Sequence, residues 1–293
     1  MRLTFPVIQI RSHSLILYDQ IDSTSNYSSK LSLFRSNNLK EQREAQYKGE
    51  LTTGAKKRLT KAIDLMCQAS KWKKVKSCIT GRWINHRLSF ITLTISSQDN
   101  ITAQQGYDKV FKHFLQWLRR TAKVTTYVWK AEFQERGQLH YHITTPSYID
   151  YRIIRTKWNV LQKQAGWLKQ YHEEHGHYDP NSTDIHAVKK RDWIIPYIIK
   201  EFIKSIQNQP TVGKVWDCSL NLKKMKYYSF LESQHHNILI SELIERKLVE
   251  VVKLDQCHVI KLKKQSVTSA MHLKNIQEYE QFLEIIRSYR KDT

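Results

Sequence analysis

The chain has 293 residues, 40% hydrophobic and 26% charged, enough to bury a core and unlike a disordered tail or a small disulfide scaffold. Lys and Arg number 48 against 27 Asp and Glu, a formal net charge of +21 that exceeds what solubility needs and points to a polyanionic partner, nucleic acid before membrane. Four cysteines without CxxC spacing argue against a zinc ribbon or a redox pair. They fit reduced thiols in a cytosol, and with neither a signal-peptide h-region nor an apolar run near ~20 residues the chain is expected to stay soluble in the cytoplasm, with no membrane partner.

Residues 1–50 read as a weakly ordered polar N-terminal arm, because 22–48 is rich in Ser, Asn, Gln and charge with little periodicity. Gly49 and Gly54 have the glycine spacing of a phosphate loop, but Ala55 stands where the phosphate lysine must be, so no nucleotide site is expected. From Thr53, a plausible N-cap, Leu59, Ala62, Ile63, Leu65 and Met66 recur at helical spacing and predict a basic amphipathic helix. In 88–96, Ile91, Leu93 and Ile95 alternate with Thr92 and Thr94, the period of a half-buried strand. A helix is predicted over 107–121, then strands over 124–133 and 138–144. A helix over 153–168 breaks near Gly166, a short strand covers 183–189, and a helix covers 193–206. This order describes an α+β domain at 51–210, with a central, mainly antiparallel sheet flanked by helices. Residues 211–293 read as a basic C-terminal extension or small helical domain, with helices at 238–247 and 275–290 and a strand pair within 249–262. Trp216, Asp217 and Ser219 stand out there without an assigned role.

His140 and His142 lie on a strand whose alternate positions are Leu139, Tyr141 and Ile143, so both imidazoles leave one face while the apolar set leaves the other. A three-residue loop of Glu135, Arg136 and left-handed Gly137 would pair Gln134 with Gln138, whereas a two-residue loop would oppose Glu132 to Leu139; the three-residue loop is the common solution. Glu132 then opposes His140, and Lys130 opposes His142. One carboxylate and two imidazoles suit Mg²⁺, Mn²⁺ or another divalent ion acting as a Lewis acid, and equally suit plain surface histidines on a polar face. His172, His175 and His177 lack such alternation and read as a solvated loop. On the 193–206 helix, capped by Asp192 with Pro196 in its first turn, Tyr197 and Lys200 are i and i+3 neighbours on the polar side, with Lys204 beyond. A phenol beside an ammonium is a competent nucleophile toward a polarised phosphate.

Taken in order, the strand at 90–94, Glu132 ahead of His140-Tyr141-His142, and Tyr197-Ile198-Ile199-Lys200 resemble the three motifs of HUH endonucleases of the rolling-circle replication-initiator class. The resemblance implies a five-stranded antiparallel sheet of the ferredoxin-like type, with the His pair on a central strand. It implies a divalent ion on Glu132, His140 and His142, attack by Tyr197 with Lys200 assisting, a 5′-phosphotyrosine adduct and a free 3′-hydroxyl. Single-stranded DNA or an origin hairpin is the implied substrate, and host helicase and polymerase are the implied partners, since no helicase domain is present. Tyr141 is aromatic where the family usually has a bulky hydrophobe, and a single tyrosine fits the catalytic helix, unlike relaxases or two-tyrosine phage initiators; the lack of an appended helicase domain points to a phage or plasmid initiator. Lys130, Arg136 and Lys204 are candidate DNA contacts, as are the basic residues of the first helix and of the stretch Lys71, Lys73, Lys74 and Lys76. A transposase or relaxase of the same superfamily, and a non-catalytic DNA-binding protein, are the competing readings.

Overall fold

The computed structural model describes residues 4–11, 14–21, 52–78, 80–97, 101–134, 137–187, 215–231, 234–245, 247, 249–255 and 257–262. They fall into two compact units, one drawn from 46–225 and the other from 1–45 together with 226–293.

The chain starts in the second unit. Thr4–Ile10 (β1) and Ser14–Ile21 (β2) pair antiparallel with Ile8 opposite Leu17, so 4–21 is sheet where the sequence suggested a weakly ordered arm. Adjacent Val7 and Ile8 are both buried, which erases the period-two alternation that marks a half-buried strand.

The first unit opens with Thr53–Ala69 (α1), whose cap is Thr52 rather than the expected Thr53: Ala55 N donates to Thr52 Oγ1 at 3.2 Å. Its buried stripe includes Leu59, Ala62, Ile63, Leu65 and Met66, as the helical spacing requires. Lys73–Lys76 (β3) and Trp83–His86 (β4) form a separate antiparallel ribbon. Ser89–Thr94 (β5) follows. The next helix begins a turn before its expected start, as Ala103–Gly106 (α2) with a Thr102/Gln105 capping box, continues through a π-helical turn at Tyr107–Phe111, and ends as Lys112–Arg120 (α3). A Cβ on Gly106 would lie 2.4 Å from Leu139 Cδ2 and 2.7 Å from the Tyr141 hydroxyl, so only glycine lets this backbone approach the sheet.

Val128–Phe133 (β6) and Leu139–Thr145 (β7) form the central hairpin. Tyr151–Gln164 (α4) is capped by Asp150, which accepts from Arg152 N at 2.9 Å, and stops before left-handed Gly166 at φ +79. Lys169–His175 (α5) holds His172 and His175 on a helix where a loop was expected. Thr183–Ala187 (β8) and, after residues outside the described set, Trp216–Cys218 (β9) and Leu220–Lys224 (α6) complete the unit.

Its sheet has the order β8-β5-β7-β6-β9 with every pair antiparallel, an α+β architecture with β7 at the centre. One face holds the core: Ile91, Leu93, Trp129, Ala131, Tyr141 and Ile143 meet Phe111, Phe114 and Trp158 from the helices. Phe111 stacks on Tyr141 at 3.8 Å between ring centroids, and Trp158 Nε1 donates to Thr94 O at 2.7 Å. The edge strand β9 is pinned to β6 at its end, where Ser219 N donates to Tyr127 O at 2.9 Å. Asp217 accepts from Lys223 Nζ at 2.8 Å, so these two once unassigned residues have structural partners.

The other unit resumes with Tyr228–Leu231 (β10), Gln234–Glu245 (α7), Val249–Leu254 (β11) and Cys257–Leu262 (β12). Its sheet has the order β10-β1-β2-β12-β11. Strands from both ends of the chain thus share one sheet, and the strand pair expected within 249–262 forms as a hairpin with Val251 opposite Ile260. The helices expected at 193–206 and 275–290 lie outside the described residues.

Candidate functional site

The β6–β7 hairpin sets the site. Gly137 adopts φ +81, its N–H donates to Gln134 O at 2.8 Å, and Gln134 N donates to Gln138 O at 2.9 Å. The resulting register places Glu132 opposite His140 and Lys130 opposite His142, as the turn arithmetic required. Since Trp129, Ala131, Tyr141 and Ile143 enter the core, Lys130, Glu132, His140 and His142 share the opposite face. Neighbouring β5 adds Thr92 opposite His142 and Thr94 opposite His140.

Three of these four side chains, Lys130, Glu132 and His142, form a chain of contacts. His142 Nε2 lies 2.5 Å from Glu132 Oε1, and Lys130 Nζ donates to Glu132 Oε2 at 2.7 Å. Burial by itself would push the Glu132 carboxyl up, but the hydrogen bond and charge of His142 and those of Lys130 outweigh it and hold the group well below the usual carboxylate range. Lys130, expected as a DNA contact, is 2% exposed and spends its ammonium inside the site.

On the imidazoles, His142 Nδ1 lies 3.1 Å from Thr92 Oγ1, and His140 Nδ1 lies 3.2 Å from Gln134 Nε2 and 3.4 Å from Thr94 Oγ1. His140 Nε2 is buried without a hydrogen-bond partner. Burial, reinforced by the charge of His142 and opposed by Glu132, lowers the His140 pKa to about 4, so the ring is neutral at pH 7. Gln134 Nε2, the nearer partner, donates to Nδ1, which puts the ring proton on Nε2; a metal ligand at Nε2 needs the other tautomer, with Nδ1 donating to Thr94 Oγ1 instead. Thr92, Thr94 and Gln134 were not singled out from the sequence, although the alternation in β5 already put both threonines on one face.

These donors suit a divalent cation in kind: one carboxylate, one imidazole nitrogen without a partner, and a second now held by the carboxylate. No three His, Cys, Asp or Glu side chains among the described residues are arranged to hold a metal ion as they stand. An ion entering here takes the place of the Glu132–His142 hydrogen bond. Tyr197, Lys200, Lys204 and Arg136 lie outside the described residues.

Residues 88–206 match the family model for replication-associated protein ORF2. The match supports a replication initiator of a rolling-circle replication family. It begins just before β5, spans the Glu132–His142 hairpin, and reaches past Tyr197 and Lys200. No curated protein and no solved structure matches the chain. No helix among the described residues is long and apolar enough to cross a membrane.

Proposed function

We propose that this protein is a rolling-circle replication initiator of the HUH class that nicks single-stranded origin DNA with Tyr197 as its one nucleophile. The observation that carries the reading is the shared face of Glu132, His140 and His142, with the neutral His140 ring presenting an Nε2 that has no protein partner. Mg²⁺ or Mn²⁺ bound there would polarise the scissile phosphate as a Lewis acid. Thr92 and Thr94 hold the two rings through their Nδ1 atoms, and Lys130 keeps Glu132 ionised.

Tyr197 loses its phenolic proton to solvent, its oxygen bonds to phosphorus, and the bond from phosphorus to the 3′-oxygen breaks. The 5′-phosphate stays on the tyrosine, and the departing 3′-oxygen takes a proton from solvent to become the 3′-hydroxyl that a polymerase can extend. Lys200 steadies the phenolate, and Lys204 and Arg136 bind flanking phosphates. Rejoining reverses the exchange without a nucleotide, because the phosphotyrosine link conserves the ester. Strand separation falls to a host helicase. Relaxases and transposases of the superfamily would use the same chemistry on other DNA substrates.

One observation favours a non-catalytic DNA-binding protein instead: both Glu132 oxygens already have partners in Lys130 and His142. The test is incubation with a single-stranded oligonucleotide library and Mn²⁺, followed by a denaturing gel for a covalent protein–DNA band. Tyr197→Phe, His142→Ala and EDTA are each expected to reduce the band by at least ~100-fold. DNA binding without a band in any condition would leave the non-catalytic reading standing.

A further inference from the structure

Residues 71–87 carry six Lys and Arg and no Asp or Glu. Their centre is the β3–β4 ribbon, paired as Lys74 with Asn85 and Lys76 with Trp83 on one face, and Lys73 with His86 and Val75 with Ile84 on the other. The second face attaches the ribbon to its unit. His86 is fully buried, its Nε2 lies 2.9 Å from Ser89 Oγ, and its ring meets the edge of Tyr148 at 5.4 Å. Val75 and Ile84 are half-buried, and Cys78 N donates to the Tyr148 hydroxyl at 2.9 Å.

The turn is also held. Ser77 N donates to Arg82 O at 2.8 Å, Gly81 N to Ser77 O at 2.9 Å, and Gly81 takes the left-handed φ +68 that closes the loop. A ribbon fixed in this way presents its first face as a defined surface. On that face Lys74, Lys76 and Asn85 are exposed, and Trp83 is 69% exposed, the highest value among the large hydrophobic residues described. Burial does not account for this indole, and among the described residues neither Lys74 nor Lys76 has an ion-pair partner. A flat aromatic ring with Lys76 directly opposite and Lys74 on the same face suits a base with its adjacent phosphates to one side.

We propose that the β3–β4 ribbon is a second nucleic-acid contact, in which Trp83 stacks on an unpaired base while Lys74 and Lys76 hold the adjacent phosphates. The occupant is single-stranded rather than duplex, because a stacked base pair offers no free face to an indole, whereas an unpaired base of any identity does. That the strand is DNA rests on the proposed function. The ribbon lies ahead of the 88–206 match and outside the three motifs; its lysines are candidate DNA contacts by sequence, and the exposed Trp83 beside them adds a stacking platform for an unpaired base.

The test is fluorescence anisotropy in EDTA, with labelled oligothymidylate of about 20 nucleotides and a blunt duplex of the same length as probes. Trp83→Ala is expected to weaken single-strand binding by about tenfold, Trp83→Phe to restore it to within about threefold, and duplex affinity to change by less than about twofold. Lys74→Gln with Lys76→Gln is expected to weaken both probes and to lower the dependence of affinity on salt. Thermal midpoints check that the exposed substitutions leave the fold intact. Single-strand affinity of Trp83→Ala equal to wild type, or an equal loss on the duplex, overturns the proposal. Trp83-dependent binding without any covalent adduct would sink the nicking function and leave the ribbon standing, while an adduct without Trp83 dependence would do the reverse.

Discussion

The two faces of the β6–β7 hairpin are built from alternate residues of the same strands and carry opposite chemistry. Trp129, Ala131, Tyr141 and Ile143 join Phe111, Phe114 and Trp158 in an aromatic core, whereas Lys130, Glu132 and His142 form a chain of charge and hydrogen bonds with His140 beside it on the same face. The core face has no titratable work to do, and the site face keeps polar groups at low exposure that water would satisfy more cheaply. The difference teaches that stability and candidate chemistry are separable here by single residues one position apart. Tyr141, stacked on Phe111, holds the strand that aims the two histidines beside it.

The sharpest way to break this comparison is from the core. Tyr141→Ala removes a fully buried ring and is expected to cost about 3–5 kcal/mol in urea unfolding; a loss below about 1 kcal/mol would mean that the core face does not carry the fold.

Acid probes the other face. Burial, then for His140 the charge of His142 and for His86 that of Lys73, lowers both pKa values to about 4. Each unfolded ring takes a proton near pH ~6.5 that the folded ring refuses until about 4. Stability therefore falls as pH drops through that window, by about 2 kcal/mol per histidine at pH 5. Glu132 adds nothing there, since its depressed pKa confers stability that is lost only in stronger acid. Thermal midpoints from pH 7 to 5 are expected to fall for wild type and to flatten by about half in either His86→Gln or His140→Gln. If only His86→Gln flattens the profile, the site face is wetter than its geometry implies.

The smallest effect is expected at Lys130. Lys130→Met keeps the buried volume but removes a charged hydrogen bond from Glu132, a loss of about 1–2 kcal/mol that Glu132→Gln in the same chain should partly recover. Urea titration of the single and double variants measures the coupling, and strict additivity would show that the two side chains act independently.

Much of this was legible before the fold was known. The sequence left two registers for the hairpin, Glu132 opposite His140 with a three-residue loop or opposite Leu139 with a two-residue loop, and left-handed Gly137 selects the first; a slip by one residue would send every side chain to the wrong face. The stripe of α1 and the alternation of β5 were equally plain, as each has one buried and one wetter face. The ribbon was not legible, since Lys73, Lys74 and Lys76 in β3 give no apolar alternation and its one anchoring face depends on Tyr148, far along the chain. Nor was β9, whose three residues form a strand through pairing with β6.

By itself the sequence determined the local terms: helix and strand periods, the turn that aligns Glu132 with His140, the basic surplus, and the order of motifs later matched over 88–206. Those are properties of neighbours along the chain, and steric and hydrogen-bonding rules fix them within a few residues. Tertiary structure alone decided that both Glu132 oxygens are taken by Lys130 and His142, that His140 Nε2 is left without a partner, and that Trp83 stands exposed on the same ribbon face as Lys74 and Lys76. It also decided that β1 and β2 share a sheet with β10, β11 and β12, more than 200 residues later. Such facts depend on burial and on partners distant in sequence, and no local pattern encodes which buried polar atom is satisfied or which strand finds which edge.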